Sequence, residues 1–186
     1  YIRVGEADMP MTEYEIYSYE AFKCKIQDEL RPVERADMDS FDKDALTEYF
    51  FKLRKMKPNL AKQPDEKILQ LQGITNKGVP TVAGIMMLGE YPQAFFPQLS
   101  VTAMVVAGTE IGEIGACGER FIDNQRIEGT LTQMLEETMA FVRRNTRNAT
   151  IIDENGKRAD RTEYPMVAVR EIILNALIHR DYSIHT

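Results

Sequence analysis

Tryptophan is absent from this 186-residue sequence, and only two cysteines occur, Cys24 and Cys117. Two cysteines so far apart provide neither a metal-ligand spacing nor a disulfide framework, so we expect reduced thiols with a packing role in a cytoplasmic protein. No apolar run reaches the roughly 18 residues that a membrane-spanning helix needs. These absences argue against a zinc-finger module, a disulfide-stabilised scaffold and a membrane partner.

An excess of positive charge is also missing. Aspartate and glutamate number 29 against 23 lysines and arginines, so the formal net charge is −6. The chain as a whole is therefore a poor electrostatic match for a polyanion. Basic residues cluster at the ends of two predicted helices, where cations also suit the helix dipole. These residues are Lys52, Arg54, Lys55 and Lys57 in one cluster and Arg143, Arg144 and Arg147 in the other.

The order of the predicted elements favours an α+β fold, with mixed helices and a small sheet. Apolar spacing predicts helices over residues 39–56, 64–72 and 81–88, with Asp39 or Ser40 as the first cap and Thr81 as the last. It also predicts a long amphipathic helix whose apolar face runs from Ile127 to Val142. The segment LSVTAMVVAG predicts a strand, and ATIIDENGKRADRTEYP predicts a hairpin.

The beginning of the chain is less clearly patterned. YIRVG predicts a strand, followed by a turn in EADMPMTEYE, and a strand at the first residue needs a partner that could be missing from the sequence. YSYEAFKCKI fits either a strand or a short helix. Because the first residue is Tyr1 rather than methionine, we expect the sequence to be a fragment of a longer protein.

The last predicted helix carries a row of polar side chains and has Pro165 near its first turn. Glu171, Asn175 and His179 follow one another at intervals of four residues, so they lie within about 80 degrees of each other around the helix axis. We expect the opposite side of the helix to be apolar and buried, with Val169, Ile172, Ile173, Ala176 and Leu177.

A carboxylate and an amide one helical turn apart suit magnesium–nucleotide chemistry. Glu171 could orient and deprotonate an attacking water, and the amide oxygen of Asn175 is a hard ligand for Mg²⁺. The spacing alone leaves other interpretations open. E-x-x-x-N also occurs on solvated helix faces, His179 fits a hydrogen-bonded packing residue, and Arg180 with Asp181 fits a surface ion pair.

The longer string YPMVAVREIILNALIHRDYS resembles the YP…A.RE…NA..HRDY segment of a bacterial family of RecG-like, helicase-labelled transcriptional regulators. TVAGIMMLGEYPQAFFPQ is similar to the T.AG…FG..P…P segment of that family, and RIEGTLTQMLEETMAFVRRN is similar to one of its helices. YIRVG looks like the closing strand of its Schlafen/Alba-type front domain. The four similarities occur in one order and cover nearly the whole chain, from Tyr1 to Thr186.

The resemblance implies three parts: the end of the front domain in residues 1–12, a middle α+β domain in 13–160, and the first helix of a GHKL-type ATP-binding domain in 161–186. It implies that ATP and Mg²⁺ bind to the intact protein, with Glu171 as the catalytic or water-orienting residue and Asn175 as the Mg²⁺ ligand. His179, Arg180 and Asp181 match the family signature at the nucleotide site, in roles that the resemblance does not assign.

The resemblance also implies a function. We expect a regulator in which ATP changes how the missing front domain binds DNA, or alternatively an ATPase acting on nucleic acid, or a non-catalytic domain for coupling or homodimerisation. A GHKL site additionally needs an Asp-containing glycine motif and a Gly-rich lid, and neither follows Ser183. We therefore expect the 186 residues alone to bind no ATP.

Overall fold

The computed structural model describes residues 2–4, 7–24, 27–108, 112–115, 118–152 and 158–182. These residues form an α+β fold of six α-helices and four antiparallel two-stranded sheets. The helices are α1 (Glu13–Cys24), α2 (Lys43–Met56), α3 (Asp65–Leu71), α4 (Val82–Leu88), α5 (Leu131–Asn145) and α6 (Met166–Ile178). The strand pairs are β1 (Ile2–Val4) with β2 (Ala7–Met9), β3 (Thr75–Asn76) with β4 (Val79–Pro80), β5 (Val101–Val106) with β6 (Phe121–Ile127), and β7 (Asn148–Ile152) with β8 (Arg158–Thr162).

Helix α5 is the central element of the core, because it packs against α4, against α6 and against both strands of the β5–β6 hairpin. A capping box fixes its start. The Thr130 side chain accepts the Gln133 N–H, and the Gln133 side chain accepts the Thr130 N–H in return. The buried residues of α5 are Met134, Leu135, Thr138, Met139 and Phe141.

The β5–β6 hairpin is tied to the last turn of α5 by polar contacts. The Arg144 guanidinium donates to the Asp123 carboxylate at 2.9 Å, and the Asn145 amide donates to the same carboxylate at 2.7 Å. Both hydrogen bonds lower the pKa of Asp123, and the one from Arg144 has the larger effect. The basic cluster predicted at this helix end is thus partly engaged in holding the sheet.

Helix α2 begins later than predicted. Asp42 is its cap, since the carboxylate accepts the N–H groups of Asp44 at 2.8 Å and Ala45 at 2.9 Å. The preceding residues Met38–Ser40 form a separate 3₁₀ turn that Asp37 caps. The prediction of one helix from residue 39, capped by Asp39 or Ser40, was therefore wrong. Asp37 caps the 3₁₀ turn and Asp42 caps α2, so the two are separate elements.

Two further predictions need correction. The first strand does have a partner, because Ile2–Val4 pairs with Ala7–Met9 in a short hairpin. The segment before α5 is the strand β6, so the helix starts at Leu131 and Ile127 is a buried strand residue, not a helical one. The segment YSYEAFKCKI, which fitted either state, is helical up to Cys24, in the helix α1 that begins at Glu13 before the segment.

Other predictions are confirmed. Thr81 caps α4, with its hydroxyl accepting the Gly84 N–H at 3.0 Å, and the strand in LSVTAMVVAG is present as β5. The predicted hairpin of ATIIDENGKRADRTEYP is present as β7–β8, although its turn at residues 153–157 lies outside the described residues. Cys117 and the side chain of Cys24 also lie outside them. No helix that the structure describes is both long enough and apolar enough to cross a bilayer.

Candidate functional site

Helix α6 carries the predicted site residues. It begins directly after Pro165, which provides no side-chain cap, and its last residue is Ile178. His179 follows as the C-cap, and its N–H donates to the Asn175 carbonyl oxygen at 2.9 Å. Proline is well placed here because the first helical N–H groups have no partner within the helix. The helix extends for 13 residues, so the intervals of four residues are true helical neighbours.

One side of α6 packs against α5 and the core. Leu177 is buried there, and Val169, Ile173 and Leu174 are partly buried against the same cluster. The predicted apolar side was wrong in two places, because Ile172 and Ala176 are exposed. Each precedes a packed residue by one position, and one position turns the helix by about 100 degrees away from the contact.

The polar row lies on the solvent side of α6. Glu171, Asn175 and His179 are all exposed, and they follow one another along the same face. In the described part of the chain, none of their three side chains makes a hydrogen bond or an ion pair. The acid and the amide are therefore one turn apart and available to a ligand from solvent.

Large apolar side chains border this polar row. Val167 is 77% exposed, Ile172 is 69% exposed and Ile178 is 52% exposed, all on the same helix. Single exposed aliphatic residues are ordinary on protein surfaces, but three on one short helix are typical of a surface that contacts another domain or chain. The outer face of α6 thus combines three unpaired polar side chains with a hydrophobic border.

Arg180 has a different environment from the row. Its guanidinium is half-buried and donates to the carbonyl oxygens of Gln98 at 2.7 Å and Ser100 at 3.1 Å, in the segment just before β5. The structure therefore places this side chain on the packed side, where it joins the end of α6 to the β5–β6 hairpin.

Asp181 and Tyr182 are also engaged with other parts of the fold. The Tyr14 hydroxyl of α1 donates to Asp181 at 2.6 Å, and this hydrogen bond raises the pKa of Tyr14. The Tyr182 hydroxyl donates to the Leu177 carbonyl at 2.9 Å, and burial raises the pKa of Tyr182. No sequence signal pointed to Tyr14, because it is 167 residues away from its partner. The structure thus brings together three of the five predicted residues and places Arg180 and Asp181 elsewhere.

Replacing Arg180 by alanine is expected to lower the free energy of unfolding by about 2 kcal/mol, because two main-chain carbonyls lose a charged donor. Urea denaturation followed by circular dichroism measures this. Arg170 on the same helix is the matched control, since its ion pair with Glu136 is 3.8 Å long and exposed, and such surface pairs contribute under about 1 kcal/mol. Equal losses for Arg180→Ala and Arg170→Ala would contradict the anchoring role.

Comparisons with known proteins give a family match and similar solved structures. A family described as a domain of unknown function (DUF8451) matches residues 20–102, which is less than half of the chain. Among solved structures, the DIP2311 protein from Corynebacterium diphtheriae is similar, with 23% sequence identity and a TM-score of 0.48 over 99% of this chain and 34% of that one. The chain thus spans about a third of the length of that protein. No curated protein matches.

Proposed function

We propose that this chain belongs to a cytoplasmic, ATP-binding transcriptional regulator of the RecG-like, helicase-labelled family. In this proposal nucleotide binding at a GHKL-type domain, of which α6 is the first helix, modulates DNA binding by a Schlafen/Alba-type front domain. The observation that carries the proposal is the state of Glu171 and Asn175. They lie one turn apart on an exposed face, and neither side chain is bonded within the described residues.

The proposal gives each of the two residues a separate role. The amide oxygen of Asn175 would be a ligand of Mg²⁺, whose remaining ligands would be phosphate oxygens and water, as is usual for this ion. The described residues contain no cluster of three or more His, Cys, Asp or Glu side chains that could hold a metal alone. The Glu171 carboxylate, one turn away, would orient the attacking water and accept its proton.

A second candidate is a non-catalytic role in coupling or homodimerisation. It is favoured by the hydrophobic border of the row, where Val167, Ile172 and Ile178 are more than half exposed. Covering these side chains would remove apolar surface from water, which stabilises an association. In this candidate Glu171 and Asn175 form only a polar rim around the contact.

Single substitutions in the full-length protein test the roles. Glu171→Ala is expected to abolish ATP turnover while leaving ATP affinity intact. Asn175→Ala is expected to weaken ATP binding in the presence of Mg²⁺ by about tenfold, or about 1.4 kcal/mol, without an effect in EDTA. Glu137→Ala and Asn124→Ala are matched controls, because both residues are exposed and lie on other elements. Calorimetric titration and a phosphate-release assay provide the two readouts.

The pattern of outcomes separates the candidates. Turnover that depends on Glu171, with DNA regulation unchanged in Glu171→Ala, would favour the ATPase acting on nucleic acid. If neither substitution changes ATP binding, and the 186 residues associate with themselves in sedimentation experiments, the coupling role replaces the nucleotide site. Micromolar binding of Mg-ATP by the 186 residues alone would contradict the expectation that this chain holds an incomplete site.

A further inference from the structure

Positive charge is concentrated in one segment of this acidic chain. Residues 52–77 contain seven lysine or arginine side chains and two acidic ones, so the formal net charge of the segment is +5, while the whole chain carries −6. The remainder of the chain is correspondingly acidic. A segregation of charge this strong produces a local potential opposite in sign to that of the rest of the surface.

The charged side chains of this segment are displayed to solvent. We call the surface formed by the exposed residues Lys55, Lys57, Lys62, Lys67 and Lys77 the basic face. It runs from the last turns of α2, through the 3₁₀ turn Leu60–Lys62, to α3 and the β3–β4 turn.

Side-chain contacts join the α2 and α3 parts of the basic face. The Arg54 guanidinium of α2 bonds the Asp65 carboxylate at the start of α3, and the Lys57 ammonium donates to the Gln72 side chain at 2.9 Å. Lys67 and Lys77 line one hollow of about 500 Å³ between α3 and the β3–β4 turn. Lys57 therefore lies against α3, and Lys67 and Lys77 lie close to each other, with Glu66 lining the same hollow.

Internal ion pairs neutralise only part of this charge. Lys52 pairs with Glu48 at 2.6 Å, and Arg54 pairs with Asp65. Among the described residues, Lys62, Lys67 and Lys77 have no ion pair or hydrogen bond from their ammonium groups. These three positive charges, and that of Lys55 on α2, thus remain available to an external anion.

The helix dipole does not explain these three lysines. Cations are favoured at helix C-termini, as Arg54 and Lys55 are on α2. Lys67 instead lies in the first turn of α3, where the dipole disfavours a cation, and Lys62 belongs to a 3₁₀ turn. Lys77 has a φ of +52° at the tip of the β3–β4 hairpin, a left-handed position where asparagine or glycine is preferred.

We propose that the basic face binds duplex DNA through its phosphate backbone. Exposed, unpaired lysines neutralise phosphates and release counterions, which requires no particular base sequence. The exposed ring of Phe51 and the Arg54 and Lys55 side chains line a neighbouring hollow of about 650 Å³, which extends this surface along α2. The choice of DNA as the polyanion rests on the proposed function, but the binding itself does not require ATP.

Charge reversal with a matched control tests the proposal. Lys62→Glu/Lys67→Glu/Lys77→Glu reverses three unpaired charges of the basic face. The control Lys43→Glu/Arg120→Glu/Arg143→Glu changes the net charge equally, at exposed residues outside the basic face, with Lys43 at the opposite end of α2. The probe is a fluorescein-labelled duplex of about 20 base pairs, roughly two helical turns, and its anisotropy is measured with the 186-residue chain without nucleotide at about 50 to 200 mM salt.

We expect the basic-face variant to bind at least about tenfold more weakly, and the slope of log Kobs against log salt to become shallower by about 2 to 3, since each phosphate contact contributes about 0.9. The control should stay within about twofold of the unmodified chain. Equal losses in both variants, no loss in the basic-face variant, or no DNA binding by the unmodified chain would each overturn the proposal. The proposal would also be overturned if the chain bound phosphatidylserine vesicles through these lysines and did not bind DNA. A failure here leaves the ATP titrations of Glu171 and Asn175 untouched, so the two proposals fail independently.

Discussion

Replacing Phe41 by alanine is expected to lower the free energy of unfolding by about 3 to 5 kcal/mol, the usual loss for a buried phenylalanine. Phe41 is 1% exposed and lies in the main core cluster. It also precedes the Asp42 cap of α2, and Leu46 occupies the helical position that a residue before a cap typically contacts. The substitution therefore removes core volume and weakens the start of α2 together.

The backbone around Phe41 increases the expected effect. The Asp42 N–H donates to the Leu88 carbonyl at 2.9 Å, and the Glu90 N–H donates to the Ser40 carbonyl at 3.0 Å. These bonds hold the segment before α2 against the end of α4, so the surrounding chain can collapse only partly into the cavity.

Phe51→Ala is the matched control for this prediction, because Phe51 lies on α2 and is 71% exposed. Surface substitutions of this kind usually change stability by less than about 0.5 kcal/mol. Guanidinium denaturation followed by circular dichroism suits both variants, since the chain has no tryptophan. Similar losses for both phenylalanines would show that residues 40–42 do not belong to the cooperative core.

The elements that could be predicted from the sequence are those that local chemistry determines. Thr81 is a cap that acts within its own turn, and Pro64 and Pro165 each stand directly before the first residue of a helix. Alternating β-branched residues likewise predicted β5 correctly. In each case the deciding contacts lie within a few residues along the chain.

The elements that could not be predicted depend on distant contacts. The β6 sequence FIDNQRI carries polar residues that pair with α5, as Asp123 does with Arg144, so it lacks the apolar alternation of a typical strand. Because Ile127 is spaced helically from Leu131, it resembled the first residue of the helical face, whereas the capping box of Thr130 starts the helix later. Tertiary contacts here override the local pattern.

The same limit applies to the candidate site. The intervals of four residues placed Glu171, Asn175 and His179 on one helix face, and the structure shows that face exposed. The rotation of α6 could not be read from its sequence, because apolar residues occur almost all around it and α5 decides which of them are buried. The same holds for Arg180, whose partners lie 80 and 82 residues away.

Adding a single methyl group at Gly84 is expected to destabilise the fold by about 2 to 3 kcal/mol. Gly84 is buried within α4, and a Cβ there would lie 2.2 Å from the Ile74 carbonyl oxygen. That oxygen cannot move away at little cost, because it accepts the Thr81 N–H at 3.0 Å and the Thr81 hydroxyl at 3.1 Å. The glycine is therefore required by the close approach of the β3 segment to α4.

The sign of the change decides between two physical effects at Gly84. Helix propensity alone predicts that alanine stabilises α4 by about 1 kcal/mol relative to glycine, whereas the clash with Ile74 predicts a net loss. Ala83→Gly at the neighbouring, half-buried position measures the effect of helix propensity alone. It should lower the free energy of unfolding by about 1 kcal/mol. Thermal and urea denaturation of the two variants gives both values. If Gly84→Ala proves as stable as the unmodified chain or more so, the β3 segment does not pack directly on α4, and the support for the Lys77 turn of the basic face weakens with it.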